Sequence, residues 1–241
     1  MREPYILEET ENYAVVFKPA KMHSRDKRNF TTNQHESESS VLEKTLLEWY
    51  TEHSSHVFDI MHRLDYETNG LVLFAKNEKS FLFFKDLQDR GEFIKEYSAI
   101  CSFQEGECSL PGFPPCPPWL NCFPSVIQSY FRPFGPGRKQ VRPVIEDGKK
   151  HKEIAKDKGG FYTTEIMEKN ENGFTVRIKR GFRHQIRCHL CWAGFPILND
   201  PLYSLAGESP QEGELALRSH ALFFIDPASG ELRECRISSL K

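Results

Sequence analysis

Residues 62–70 read HRLDYETNG and run directly into the apolar segment LVLFA at residues 71–75. The apolar segment predicts a buried β-strand, since such short continuous apolar runs are typical of strands in the core of a protein. The charged residues that precede it would be held at the end of a rigid element, which is where proteins position functional side chains. This junction of charge and core is therefore the first candidate site.

A second segment of the same kind reads GFRHQIR at residues 181–187. It runs into a short helix that we predict from about His184 to Trp192, ended by Gly194. On that helix Ile186 and Leu190 share an apolar face, whereas Arg187 points to roughly the opposite side. Each polar residue of the two segments, taken alone, is better explained as an ordinary surface ion pair or helix cap.

The remaining pattern predicts short strands and helices that alternate irregularly along the chain. The predicted strands lie at residues 14–17 and at residues 95–101, the second with Tyr97, Ala99 and Cys101 on one side. One helix is predicted from about Ser40 to Glu52, with Ser40 and Glu43 as its capping box, and another begins after Asn77 with Ser80 and ends at Gly91. A hairpin is predicted with arms at residues 161–167 and 174–179. Residues 102–124 contain six prolines, which predicts an irregular insertion. The class expected from this mixture is α+β.

The composition is that of a folded protein, and the length fits one domain or two. The chain has 241 residues, of which 39% are apolar, and a formal net charge of −2. No apolar run approaches the roughly 18 residues of a membrane helix, and no signal peptide is evident. Seven cysteines without a disulfide-like spacing favour a reducing environment, so we expect a cytoplasmic protein.

The small net charge conceals two basic segments. Residues 132–158 carry nine basic and four acidic side chains, and residues 174–199 carry five basic and no acidic ones. Together they hold a charge of +10, which leaves −12 for the rest of the chain. A polyanion could bind these two segments, although an ordinary solvated charge run is the alternative for each.

Several common chemistries are excluded by their missing motifs. The chain has no Gly-x-Ser-x-Gly elbow, no phosphate-binding Walker loop, no dinucleotide fingerprint and no His-Glu-x-x-His. His184, Cys188 and Cys191 have the spacing of three zinc ligands on one helical face, so a small zinc protein is one alternative. No second Cys-x-x-Cys exists, which favours packed thiols and no metal site.

The two segments together resemble the RluA-type pseudouridine synthases. The resemblance rests on five motifs in the family's order, over roughly residues 5–238. They are Lys18-Pro19-Ala20, the His62–Gly70 segment with its strand, Lys95-x-Tyr97-x-Ala99, His184-Gln185-Ile186-Arg187-x-His189, and Pro196-Ile197-Leu198-x-Asp200-Pro201-x-Tyr203 with His220-Ala221 after it. It implies one pseudouridine synthase catalytic domain over residues 1–241, a mainly antiparallel mixed sheet with flanking helices and a central RNA-binding cleft, and no appended S4 domain.

The resemblance also implies an activity and its residues. The protein would isomerise uridine to pseudouridine in RNA, with ribosomal RNA as the first candidate substrate and transfer RNA as the second. It would need no cofactor, and it would act as a monomer without a protein partner. Asp65 would be the catalytic carboxylate, Arg187 its ion-pair partner, and Tyr97 the ring on which the flipped uracil stacks. The predicted RNA contacts are Arg63, His62, Thr68, Lys139, Arg142 and Arg183. A non-catalytic RNA-binding module on the same scaffold is the alternative.

Overall fold

The computed structural model describes residues 3–25, 44–54, 56–102, 110–115, 125–145, 161–204 and 213–240. Within these ranges the chain forms eleven β-strands and three α-helices. The strands are β1 (Tyr5–Glu9), β2 (Tyr13–Lys18), β3 (Asp59–Ile60), β4 (Asn69–Ala75), β5 (Ile94–Ile100), β6 (Val126–Phe134), β7 (Gln140–Val144), β8 (Tyr162–Asn170), β9 (Gly173–Ile178), β10 (Leu217–Ile225) and β11 (Leu232–Arg236). The helices are α1 (Leu46–His53), α2 (Glu78–Arg90) and α3 (Gln185–Trp192).

One mixed sheet connects all the strands in the described ranges. Its order is β1-β2-β4-β10-β5-β9-β8-β6-β7, with β11 paired to β10 and β3 paired to β4. Every pairing is antiparallel except that of β4 with β10, which is parallel. The predicted class, an α+β protein with a mainly antiparallel sheet, is confirmed.

Strand β4 is buried on both faces, as its continuous apolar sequence predicts. Leu71 and Leu73 pack in a cluster with Phe84 of α2 on one side of the sheet. Phe74 packs in the cluster on the other side, where its ring lies 4.6 Å from that of Tyr50 in α1. The helices therefore cover both faces, and the charged loop before β4 is fixed to the centre of the molecule.

Most of the predicted elements are present. Strand β2 contains the predicted strand at residues 14–17, and β8 and β9 form the predicted hairpin around Asn172. Helix α2 begins after Asn77, which shares a capping box with Ser80, and it ends at Gly91 in a left-handed conformation. Tyr97 and Ala99 lie in the same core cluster, as the alternation along β5 predicts.

The predicted start of the first helix is wrong. Helix α1 begins at Leu46, and its N-cap is Thr45, whose side chain accepts a hydrogen bond from the backbone N–H of Glu48. Glu48 in turn accepts from the backbone N–H of Thr45, so the capping box of this helix lies five residues after the predicted one. Ser40 and Glu43 lie outside the described residues.

The predicted insertion is described in part. Residues 110–115 contain no helix or strand, and residues 103–109 and 116–124 lie outside the described ranges. The same holds for residues 146–158, which carry part of the first basic segment. The indole N–H of Trp192 donates to the carbonyl of Pro114, which fastens residues 110–115 to α3.

Candidate active site

A cleft of about 1390 Å³ lies where the loop before β4, strand β5 and the segment before α3 meet. Residues 61–66 and Thr68 form one wall, and residues 178–187 form the opposite wall. The end of α2 and the turn between β6 and β7 complete the rim. Both segments that the sequence analysis singled out therefore line one cavity, although more than a hundred residues separate them in the chain.

Asp65 lies in the loop between β3 and β4, with 22% of its side chain exposed to the cleft. Its carbonyl accepts a hydrogen bond from the backbone N–H of Thr68 at 3.1 Å, which closes a turn. Ser24 accepts from the N–H of Leu64 and donates to the carbonyl of the same residue. The backbone on either side of Asp65 is thus tied down, while its carboxylate stays accessible.

The side chain of Lys18 holds the same loop through its backbone carbonyls. Its side chain is fully buried, and its Nζ donates to the carbonyls of Pro19, Met22 and Tyr66 at 2.8, 2.7 and 3.3 Å. Burial lowers the pKa of Lys18 to about 7, against the nearby carboxylate of Asp65, which raises it. This buried amino group links the end of β2 to the residue that follows Asp65.

Arg187, on α3, points into the cleft from a position that is only 1% exposed. Its Nε and Nη2 donate to the two carboxylate oxygens of Asp200 at 2.8 and 2.7 Å, and its Nη1 lies 3.4 Å from Oδ2 of Asp65. Burial lowers the pKa of Arg187, but the hydrogen bonds and charge of Asp200 outweigh burial and the net shift is upward. The predicted Asp65–Arg187 pair forms, and a second carboxylate holds the arginine.

The role of Asp200 was missed from the sequence. Its Oδ1 also accepts the backbone N–H groups of Leu202 and Tyr203, at 2.8 and 3.1 Å. It lies in the Pro196–Tyr203 motif, which was quoted for the resemblance without a role for any of its residues. The sequence did contain a signal for this role of Asp200. The residue is acidic, and its motif follows an arginine that was predicted to be buried.

Tyr97 projects from β5 into the cleft and is 5% exposed. Burial raises the pKa of its hydroxyl, and the charge of Asp65 raises it further. The phenol is therefore neutral, and it lies near the carboxylate of Asp65.

His184 reaches the site from the residue before α3. It adopts the left-handed backbone conformation, with φ of 58°. Its Nδ1 lies 3.1 Å from the hydroxyl of Tyr203, and its Nε2 lies 3.9 Å from Oδ1 of Asp65. Burial lowers the pKa of His184 to about 4, although the charge of Asp65 raises it, so the imidazole is neutral at neutral pH.

The family model described as RNA pseudouridylate synthase matches residues 12–192. The chain belongs to this family. The match includes both walls of the cleft, and it confirms the resemblance to the RluA-type enzymes that the motifs indicated.

Curated relatives agree with this membership. The chain is 31% identical over 227 residues to an uncharacterized RNA pseudouridine synthase of Mycoplasma pneumoniae, a match covering 92% of this chain and 62% of that protein. It is 28% identical over 183 residues to the dual-specificity RNA pseudouridine synthase RluA of Vibrio parahaemolyticus, covering 72% of this chain and 63% of that one. An uncharacterized protein of Caenorhabditis elegans is 33% identical over 162 residues, 65% of this chain and 31% of that protein. The chain thus spans less than two thirds of these relatives.

Solved structures share the fold. The human RNA pseudouridylate synthase domain containing 1 matches with a TM-score of 0.64 and 15% identity, over 98% of this chain and 84% of that one. The human RNA pseudouridylate synthase domain containing 4 matches with a TM-score of 0.60 and 18% identity, over 98% and 88%. The architecture of the pseudouridylate synthases is therefore the architecture of this chain.

Three of the predicted RNA contacts of this family member lie exposed on the cleft. Arg63 and Lys139 are solvent-exposed and line it from opposite sides. Arg183 is also exposed, and its Nη2 donates to the carbonyls of Arg138 and Gln140 at 2.6 and 3.2 Å. These hydrogen bonds fix one side of the guanidinium at the turn between β6 and β7, so that the charges of Lys139 and Arg183 lie on one rim.

The burial of Arg142 argues against its predicted phosphate contact, which stays a prediction. This residue is 3% exposed, and its guanidinium donates to the carbonyl of Pro111 and the side-chain oxygen of Gln140. Its Cζ atom lies 4.6 Å and 4.1 Å from the ring centroids of Phe113 and Phe134. Cation–π stacking and carbonyl acceptors replace water around the charge, and the residue joins the insertion to β7.

His62 and Thr68, the other two predicted contacts, lie in the wall of the cleft. Nε2 of His62 accepts the backbone N–H of Leu73, and burial lowers the pKa of the imidazole well below its ordinary value. Thr68 is 2% exposed, and neither its hydroxyl nor Nδ1 of His62 has a hydrogen-bond partner within the described residues. Contact of either residue with RNA stays a prediction.

The zinc alternative finds no support in the described ranges. No three His, Cys, Asp or Glu side chains there are grouped so that they could hold a metal ion. Cys188 and Cys191 are fully buried in a cluster with Phe131, whereas Nδ1 of His184 is engaged with Tyr203. The packed-thiol interpretation fits this geometry.

No helix in the described part of the chain has the length and apolarity to span a membrane.

Proposed function

We propose that this chain isomerises uridine to pseudouridine in RNA, with Asp65 as the catalytic carboxylate. The observation that carries the proposal is the position of Asp65 in the cleft, accessible and 3.4 Å from the buried guanidinium of Arg187, with Tyr97 in the same cavity. In a member of the RNA pseudouridylate synthase family, these are the three residues that the motif matches assign to the reaction.

The chemistry conserves every atom of the substrate. The bond between N1 of uracil and C1′ of ribose breaks, the base turns, and a bond forms between C5 and C1′. The proton leaves C5 and N1 acquires one, so no electron carrier is needed. An ionised carboxylate is suited to such a step as nucleophile or base, and Arg187 gives Asp65 a cationic partner at 3.4 Å.

The depth of the site implies that the nucleotide leaves its stack. Asp65 cannot reach C1′ inside a paired helix, so the uridine must be flipped into the cleft. Tyr97 would support the uracil ring. Arg63, exposed on the rim, would occupy the space that the base vacates, and its planar guanidinium suits stacking between the neighbouring bases.

Basic residues around the cleft would hold the RNA by its phosphates. Lys139 and Arg183 on one rim and Arg63 on the other supply charge without base recognition. As the substrate we propose ribosomal RNA first and transfer RNA second. The seven cysteines of the chain have no disulfide-like spacing, which supports a reducing compartment, and we propose the cytoplasm.

The test compares the chain with its Asp65→Asn variant. Release of tritium from RNA labelled at C5 of uridine should occur with the unmodified chain and be abolished in the variant, while RNA affinity changes little. Tritium release at the normal rate by Asp65→Asn would contradict the assignment of Asp65. RNA binding without release by either protein would favour the non-catalytic module instead. Mapping of pseudouridines in a deletion strain would then identify the RNA.

A further inference from the structure

Tyr203 connects strand β7 to the candidate active site through its hydroxyl. The backbone N–H of Val141 donates to the Tyr203 hydroxyl oxygen at 2.9 Å, and both residues are buried. The same oxygen lies 3.1 Å from Nδ1 of His184. No other acceptor contacts the hydroxyl among the residues that the structure describes.

These contacts favour one placement of the protons. Because Val141 is a backbone donor, the Tyr203 oxygen accepts there and has its own hydrogen free for Nδ1 of His184. Nδ1 then acts as acceptor, and in a neutral imidazole the proton must be on Nε2. The ring is neutral at neutral pH because burial lowers the pKa of His184 to about 4.

The protonated nitrogen faces the catalytic carboxylate. Nε2 of His184 lies 3.9 Å from Oδ1 of Asp65, while Oδ2 of Asp65 lies 3.4 Å from Nη1 of Arg187. The two oxygens of Asp65 thus face two different donors. Both distances are longer than those of ordinary hydrogen bonds, and catalytic contacts of this length tighten in the complex with substrate.

The backbone of His184 is held in the conformation that this arrangement needs. Its φ of 58° is uncommon for a residue with a side chain. The N–H of Gln185 donates to the carbonyl of Phe182, and the side-chain oxygen of Gln185 accepts the N–H of Phe182. Two hydrogen bonds therefore close the turn that presents the ring to Asp65.

We propose that the Tyr203 hydroxyl fixes His184 in its Nε2–H tautomer, so that this neutral imidazole and Arg187 together orient the carboxylate of Asp65. Tyr203 and His184 are positioning residues, and their catalytic effect rests on the proposed function of Asp65. The tautomer itself does not depend on that function. The two parts are therefore tested by separate measurements.

The tautomer is tested by two-bond proton–nitrogen NMR correlation on the ¹⁵N-labelled chain without RNA, at neutral pH. We expect Nε2 of His184 to be protonated and Nδ1 unprotonated in the unmodified chain. In Tyr203→Phe, which keeps the ring but removes the donor, the two tautomers should become mixed. A protonated Nδ1 in the unmodified chain, or an unchanged spectrum in a folded Tyr203→Phe variant, would overturn the proposal.

The effect on Asp65 is tested with His184→Gln and His184→Asn. The amide nitrogen of glutamine can replace Nε2, whereas that of asparagine corresponds to Nδ1 and leaves Asp65 without its second donor. Asparagine tolerates the left-handed conformation better than glutamine, so the backbone preference acts against the expected result.

We expect His184→Asn to lower kcat for tritium release by roughly 10- to 100-fold with little change in KM, because a misdirected reacting group costs rate and not binding. His184→Gln should keep most of the activity. Equal losses in both variants, or a loss confined to KM, would overturn the positioning role. Failure of the unmodified chain to form pseudouridine in any RNA would remove the catalytic part together with the proposed function, while the NMR result would still decide the tautomer.

Discussion

Asp200 binds Arg187 more closely than Asp65 does. Two hydrogen bonds of 2.7 and 2.8 Å join the guanidinium to Asp200, against a distance of 3.4 Å to Asp65. Asp200 is itself held by two backbone N–H groups, and it is 1% exposed. The direction of the arginine is therefore set from the loop after α3, and Asp65 meets a guanidinium that is already oriented.

This relationship predicts the effect of Asp200→Asn. The variant keeps the shape of the side chain but removes the nearer charge partner of the buried guanidinium, which we expect to lower the free energy of unfolding by about 3 kcal/mol. The rate of tritium release at saturating RNA should fall more than RNA affinity, since Arg187 is no longer directed at Asp65. Urea unfolding and single-turnover kinetics measure the two effects.

An exposed ion pair supplies the control for this variant. Glu52 pairs with Lys44 at the surface, with 57% of its side chain exposed. Glu52→Gln should cost less than about 1 kcal/mol, because solvent screens such a pair, and should leave turnover unchanged. If Asp200→Asn unfolded at the same urea concentration as Glu52→Gln, the anchoring role of Asp200 would be refuted.

The contrast between Lys139 and Arg142 gives a second prediction, on the salt dependence of RNA binding. Lys139 is exposed on the rim, so Lys139→Ala should weaken binding to all RNA sequences and reduce the slope of log affinity against log salt by about one. Arg142→Gln removes a charge that is stacked on Phe134 and screened from RNA, so that slope should not change. Titrations of labelled RNA at several salt concentrations measure both.

Arg142→Gln should instead lower the thermal stability of the protein. The loss of cation–π contacts and of the hydrogen bond to Pro111 is expected to lower the melting temperature, whereas Lys139→Ala should leave it almost unchanged. A reduced salt slope in a folded Arg142→Gln variant would restore the phosphate contact that its burial argues against.

The sequence correctly predicted the elements that depend on residues adjacent in the chain. Asn77 with Ser80 and Gly91 marks both ends of α2, and the apolar run at residues 71–75 marks the central strand, because caps and continuous burial depend on adjacent residues. Strand β10 was not predicted. Its place between β4 and β5 depends on pairing with residues more than a hundred positions away, which no local pattern records.

The same distinction between features visible in the sequence and features set by distant contacts applies to the candidate site. Asp65, Tyr97 and Arg187 could be selected from motifs, since residue type and order are visible in a sequence. The burial of Arg142 could not, because it depends on Phe113 and Phe134 from two other segments. The role of Asp200 was hidden for a similar reason: a charge near a site carries no sign of which partner it will contact.

Gly70 gives a third prediction, on the backbone at the junction of loop and core. Its φ is 127°, and a Cβ atom placed on it would lie 2.2 Å from the carbonyl oxygen of Ser219, in the strand that pairs with β4. We expect Gly70→Ala to lower the free energy of unfolding by at least about 3 kcal/mol, since the backbones must separate.

Gly230→Ala is the matched control, because Gly230 has φ of 73° and nothing within 4 Å of the added atom. It should cost about 1 kcal/mol, the price of the backbone conformation alone. Denaturant unfolding measures both variants, and equal losses would show that contact with Ser219 has no part in the effect.

The fourth prediction concerns acid. His189 is fully buried between the hydroxyls of Ser129 and Thr164, and burial lowers its pKa from 6.5 to about 3. In the unfolded chain the imidazole takes up a proton below pH 6.5, while the folded state does not until the pH is far lower. The unfolded state therefore binds more protons across this interval, and the free energy of unfolding must fall as the pH falls.

At pH 5 this single group should account for about 2 kcal/mol of lost stability relative to pH 7. Urea unfolding at the two pH values tests the expectation in His189→Gln, which keeps hydrogen-bonding groups at the site but cannot titrate. The difference between the two pH values should be smaller by about 2 kcal/mol in this variant than in the unmodified chain. His56→Gln, at an exposed histidine, should leave that difference unchanged. If His189→Gln kept the full pH difference, the acid sensitivity would have to come from other groups, and the neutral buried imidazole would not be its source.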